Sequence, residues 1–83
     1  MDYPIQTPKQ LAQVLQGFRK RSRLTQSEAG SKAGLLPKTV SSLEATPERT
    51  RVESLFRLLS ALQVELVLRD KHSGSIPSSR SDW

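Results

Sequence analysis

The side chains that carry catalysis in other proteins are present here without the neighbours that chemistry requires. Serines recur along the chain, but a serine nucleophile needs a base within hydrogen-bond reach. The one histidine, His72, lies in no helix that would aim it at a serine, and it has no second metal ligand near it. Glu48 and Glu53 fall in a loop and at a helix start, with no apolar pocket to raise a carboxylate pKa for general-acid work. There is no cysteine, hence neither a disulfide framework nor a thiolate metal site, and no glycine-rich loop to cradle phosphate. We therefore expect no enzyme activity, no metal and no cofactor. What remains is charge: thirteen Lys and Arg against eight Asp and Glu give +5 and a sequence pI near 10.3. Such a surplus attracts polyanions, with nucleic acid ahead of an anionic membrane. The densest run is Arg19-Lys20-Arg21-Ser22-Arg23. It reads equally as phosphate contact and as a helix end whose cations offset the dipole.

The elements that position these groups are marked by capping chemistry. Thr7-Pro8-Lys9-Gln10 offers an N-cap threonine, a proline at the first helical position and a glutamine three residues on. Behind it Leu11, Val14, Leu15 and Phe18 fall at helical spacing. Thr25-Gln26-Ser27-Glu28 is a second capping box, opening a short helix that Gly34 can end in a left-handed conformation. After Leu35 and Leu36, Pro37 starts a third helix through Thr39, Val40 and Leu43. Thr50-Arg51-Val52-Glu53 reads as a third box, starting a helix with Val52, Leu55, Phe56, Leu58, Leu59 and Leu62 as its apolar residues. An all-α domain of four to five helices is expected.

Beyond Leu62 the period changes. Val64, Leu66 and Leu68 alternate with Glu65, Val67 and Arg69, a strand pattern. Tyr3-Pro4-Ile5 is too short and proline-broken to pair with it. A lone strand leaves its backbone groups unpaired, so pairing with the same strand of a second copy across a two-fold axis is the simplest resolution. The alternative is a final turn of the fourth helix. From Lys71 to Trp83 the composition shifts to Ser, Gly, Pro and charge, as in a disordered tail. The expected organisation is a domain over 1–70 and a tail over 71–83. No apolar run approaches the roughly 18 residues a membrane span needs. The start Met1-Asp2-Tyr3-Pro4 lacks the order of a signal peptide. A cytoplasmic protein with no membrane partner is expected.

Two helices joined at Gly34 make a candidate helix-turn-helix, the second helix facing outward to a major groove. Leu24-Thr25-Gln26-Ser27-Glu28, Ala33-Gly34 and Thr39-Val40-Ser41-Ser42-Leu43-Glu44 together resemble the phage-repressor (Cro/C1, XRE) helix-turn-helix family, over roughly Leu11 to Leu62. The longer pattern, Val40-Ser41, Glu44, Pro47, Thr50, Leu58-Leu59, the segment Val64–Leu68 and the final Trp83, is similar to the HipB-type antitoxins. The resemblance implies a lambda-repressor-like fold and a homodimer held partly by the C-terminal strand, with Val64, Leu66, Val67 and Leu68 at its interface. It implies repression of its own operon by binding double-stranded operator DNA, and a HipA-like serine/threonine kinase toxin as partner. Carried onto this sequence, it puts Gln26 and Ser27 at phosphates and the groove edge. Pro37, Lys38, Thr39, Ser41 and Ser42 fall on the recognition helix. Trp83 becomes an anchor for the toxin, and Arg19–Glu44 a buried, structural ion pair; Arg21 and Arg23, from the basic run, are the residues expected to supply phosphate contacts. A stand-alone repressor without a toxin is the alternative, and an adaptor that binds only protein is a third reading.

Two departures from the family pattern bear on this. The family has Leu-Ala after the Glu of its second helix, where this chain has Ala29-Gly30; Gly30 is expected to weaken that helix by about 1 kcal/mol relative to Ala. Pro37 stands where the family often has a polar base-reader, which shifts specificity towards Lys38, hydroxyls and DNA shape.

Overall fold

A computed structural model describes residues 2–71 of the chain. Among them are four α-helices and one 3₁₀ turn: α1 Pro8–Arg21, α2 Gln26–Ala33, α3 Pro37–Ala45, the 3₁₀ turn Pro47–Arg49 and α4 Val52–Ala61. The all-α architecture is as expected. Thr7 opens α1 by accepting from the Gln10 backbone N–H at 3.1 Å, while the Gln10 side chain accepts the Thr7 N–H at 3.2 Å. Thr25 and Glu28 open α2 with the same reciprocal pair, at 3.0 and 2.8 Å. Each box satisfies amides that the first helical turn would otherwise leave without partners.

Three helices close alike. Gly34 after α2 has φ 71°, and Arg23 and Gln63, after α1 and α4, both have φ 59°. In each case the following N–H reaches the carbonyl five residues back: Leu24 to Arg19 at 3.2 Å, Leu35 to Gly30 at 2.8 Å and Val64 to Leu59 at 2.9 Å. This is the Schellman closure, which brings an apolar residue back against the helix. Leu24, Leu35 and Val64 all pack on the core formed by Leu15, Ala29, Leu43, Leu58, Leu59 and Leu62. That partial burial, a fraction of the roughly 1.5–3 kcal/mol that full burial of such a side chain contributes, offsets the left-handed backbone that Arg23 and Gln63 adopt without being glycine.

Four expectations are corrected. Thr50 does not cap α4: its N-cap is Arg51, with no side-chain cap bond. The Thr50 hydroxyl donates to the Pro47 carbonyl at 2.8 Å, and Glu53 pairs with Arg57 at 3.1 Å. The 3₁₀ turn engages the threonine, and the helix begins one residue too late for the box. Val52 and Phe56 do not belong to the buried stripe; they are 64% and 50% exposed. Gly30 is no weak point, because a Cβ there would lie 2.7 Å from the Leu35 carbonyl oxygen and 3.3 Å from Val40 Cγ2. The bare backbone is what lets the turn close onto α2.

The fourth correction concerns Val64–Leu68. No strand occurs among the described residues, and residues 64–70 belong to no helix either. Val64 is half-buried in its own core, with its N–H closing α4, so it is committed within the chain. Leu66, Val67 and Leu68 are exposed. The left-handed Gln63 also excludes the alternative of a continuing helix. Of the expected 71–83 tail only Lys71 is described; His72 and Trp83 lie outside the described residues.

Candidate nucleic-acid interface

Val40 and Leu43 bury one side of α3, and at about 3.6 residues per turn this turns Lys38, Ser42 and Ala45 to the opposite side, with Ser41 beside them. Pro37 and Lys38 are exposed, and Thr39, Ser41 and Ser42 are half-exposed. Lys38 has no ion-pair or hydrogen-bond partner among the described residues. It stands at the helix N-terminus, where a cation is electrostatically unfavourable. A lysine held there without a partner is available to an acceptor from outside.

The opposite end of α3 is tied to α1 and α2. Arg19, buried in α1, donates from Nε to Glu44 Oε2 at 2.6 Å, from Nη2 to Glu44 Oε1 at 3.0 Å and from Nη1 to the Leu24 carbonyl at 2.8 Å. The Glu44 hydrogen bond raises the Arg19 pKa above its usual value, burial opposes this, and the charge of Glu44 adds to it. The guanidinium stays charged across the neutral range. Gln26, the first residue of α2, donates from Nε2 to the same Glu44 Oε1 at 3.0 Å. The fold thereby places Gln26 at the last turn of α3, and Ser27 beside it is exposed.

Arg21 and Arg23 sit elsewhere in the network. The Arg21 guanidinium lies 4.9 Å from the centre of the Phe18 ring and donates to the Tyr3 hydroxyl at 3.2 Å. Tyr3 meets Phe18 edge-on at 5.5 Å. Arg23 is exposed in the link between α1 and α2. Two features of this surface escaped the sequence reading. Leu36, the N-cap of α3, is 67% exposed beside Lys38; its place between a left-handed glycine and a proline was the available signal. The Gln26–Glu44 bond joins residues far apart in sequence, and no local pattern announces it.

An open apolar groove of about 370 Å³, walled by Pro8, Leu11, Pro47 and Leu55, carries one acid, Glu48, and no histidine. Among the described residues no cluster of His, Cys, Asp or Glu could hold a metal ion. No helix there is long and apolar enough to cross a membrane.

Two short helices packed across a glycine turn, with supporting helices on both sides and an outward face of lysine and hydroxyls, define a helix-turn-helix domain. No protein-family model matches the chain. It is 32% identical to antitoxin HipB of Escherichia coli over 75 residues, which span 90% of this chain and 85% of that protein. Antitoxin HipB of a second E. coli strain is 32% identical over 71 residues, 86% of this chain and 76% of that protein. Among solved structures, the HipB–O4 20mer complex and the HipA–HipB–O2–O3 complex each match with a TM-score of 0.80 at 31% identity, covering 84% of this chain and 99% of theirs. The chain belongs to the HipB antitoxin family.

Proposed function

We propose that this chain is a cytoplasmic, non-enzymatic antitoxin that represses its own operon as an operator-bound dimer and restrains a HipA-type kinase toxin. The observation that carries this reading is the free, outward Lys38–Ser42 face of α3, in a chain that superimposes on HipB in complexes with operator 20mers and with HipA. In this reading α3 enters the major groove. Lys38 donates to guanine O6 and N7, and Thr39, Ser41 and Ser42 donate to base edges or phosphate oxygens. Leu36 offers apolar contact to a thymine methyl, and Pro37 keeps the helix start rigid without donating. Gln26 and Ser27, at the N-terminus of α2, face phosphates, where the helix dipole and free amides favour an anion. Arg21 and Arg23 add phosphate contacts. The segment carrying Leu66, Val67 and Leu68 pairs with its copy in the dimer, leaving Val64 to its own core. Trp83 is the anchor offered to the kinase, tryptophan being among the residues most enriched at interface hot spots.

Titrating binding against salt tests the DNA part. A dimer neutralising about eight phosphates gives a slope of log affinity on log salt near −7. Lys38→Ala relaxes base discrimination, whereas Arg21→Ala weakens operator and unrelated duplex alike. Equal affinity of the unaltered protein for operator and random duplex at moderate salt would sink the repressor reading. Calorimetry with the kinase tests the anchor: Trp83→Ala weakens that complex about 30-fold or more. Unchanged affinity would place the contact on the helical body.

A further inference from the structure

The Arg19–Glu44 pair is bonded to a third residue, the half-exposed Gln26 that begins α2, and so reaches beyond the joint between α1 and α3. Glu44 Oε1 accepts from Arg19 Nη2 and from Gln26 Nε2, both at 3.0 Å, while Oε2 accepts from Arg19 Nε at 2.6 Å. The two charged side chains are themselves largely covered, at 10% and 4% exposure. A carboxylate only accepts, so it admits the Gln26 amide in one orientation, with Nε2 inward. The carbonyl oxygen and the remaining N–H of that amide are then directed away from Glu44. An unrestrained surface glutamine samples many rotamers and both amide orientations, and ordering it during binding lowers affinity by about tenfold. Here the ordering is completed when the domain folds.

We infer that Arg19 and Glu44 are positioning residues for DNA recognition: Arg19 fixes Glu44, and Glu44 fixes the Gln26 amide with its free donor and acceptor turned to the DNA. This rests on the operator-binding reading above. It assigns the pair a task beyond joining α1 to α3, and it makes the affinity contribution of Gln26 depend on a carboxylate that never touches DNA.

Removing Glu44 alone would leave a buried, unpaired guanidinium and endanger folding. The informative variant is therefore the double replacement Arg19→Met with Glu44→Leu, because exchanging both members of a buried pair for apolar side chains is often near neutral. Four proteins are compared: the unaltered chain, Gln26→Ala, the double replacement, and all three changes together. Each is titrated with a duplex spanning the region upstream of its own coding sequence and with a shuffled duplex. Gln26→Ala is expected to lower affinity for the upstream duplex about tenfold. The double replacement is expected to lower it by a similar factor, and the combined variant to be no weaker than Gln26→Ala alone. A merely structural pair would instead give the same loss with and without Gln26, and that result overturns the inference. A second readout needs no DNA. The Gln26 side-chain amide resonances should stand apart from those of free glutamine in the unaltered protein and move to free-glutamine positions in the double replacement. Resonances that do not move overturn the inference even if the fold is disturbed. Should the unaltered protein bind both duplexes alike, the repressor reading fails, while the resonances still decide whether Glu44 holds Gln26.

Discussion

From Thr25 to Ala45 the side chains bond to one another and to α1, whereas from Val52 to Leu68 the chain buries Leu58, Leu59 and Leu62 and leaves several other apolar residues in water. In the first stretch Thr25 and Glu28 cap each other, Gly34 closes α2, and the Gln26–Glu44–Arg19 bonds lock α2 and α3 to α1. No buried side-chain nitrogen or oxygen among the described residues lacks a partner. In the second stretch Val52, Phe56, Leu66, Val67 and Leu68 stand between 46% and 91% exposed. Apolar surface left in water forgoes roughly 25 cal/mol per Å² that burial against a partner would supply. The recognition half keeps its shape before any ligand arrives. For the other half we propose a second copy of the chain as the partner that covers its exposed apolar residues.

Disrupting that pairing should produce the largest effect. Leu66→Pro removes a backbone donor and distorts the segment, and Phe56→Asp puts a charge on the exposed face of α4. Each should raise the dimer dissociation constant about 100-fold or more, since a buried aromatic anchor and a broken backbone pairing each contribute a few kcal/mol. Helical content should be kept, because neither residue belongs to the buried core. Sedimentation across a concentration series checks this. If both variants remain fully dimeric at micromolar concentration, the Val52–Leu68 face is not the interface, and the contrast between the two halves loses its explanation.

A smaller effect tests how tightly the closed half is built. In a helix interior Gly30→Ala normally gains about 1 kcal/mol from propensity. Here the added Cβ would meet the Leu35 carbonyl at 2.7 Å, and that carbonyl belongs to the backbone of the turn. Overpacking of this kind costs about 1–3 kcal/mol, so the net change should be a loss of roughly 1 kcal/mol. Chemical denaturation measures it. A gain in stability would show that the turn yields easily, and that the recognition half is less preset than its contacts imply.

These two halves were also unequally legible in the sequence. Thr7, Thr25, Pro8, Pro37 and Gly34 act on amides and carbonyls within a few residues, so their identity announced the helix ends. The buried Leu15 and Leu43 followed from helical spacing. The Arg19–Glu44 pair was supplied by family resemblance, not by any spacing. Gly30 read as a defect because its reason is the Leu35 carbonyl, which arrives only when the turn folds back. In α4 apolar residues occupy more than one face, and composition alone does not say which stripe meets the chain's own core. Phe56 was accordingly assigned inward. Arg23 and Gln63 were not read as left-handed, because their side chains argue against it locally and only the docking of Leu24 and Val64 argues for it.

The smallest expected effect separates two threonines that look alike in sequence. Thr25 and Thr50 each precede a glutamate by three residues, yet only Thr25 accepts the N–H of its glutamate, at 3.0 Å. Thr25→Ala leaves that amide without its cap, and Glu28 loses the other half of a reciprocal arrangement; such losses cost about 1 kcal/mol. The Thr50 hydroxyl donates to the Pro47 carbonyl at 2.8 Å, inside a turn of three residues. Its removal leaves the Pro47 carbonyl still accepting from the Thr50 N–H at 3.2 Å, so Thr50→Ala should cost no more than about 0.5 kcal/mol. Parallel denaturant titrations of the two variants read the difference, which should survive in a dimer-disrupted background because neither threonine lies on the exposed apolar face. Equal losses would mean that Thr50 caps α4 in solution, and that this helix starts one residue earlier than Val52.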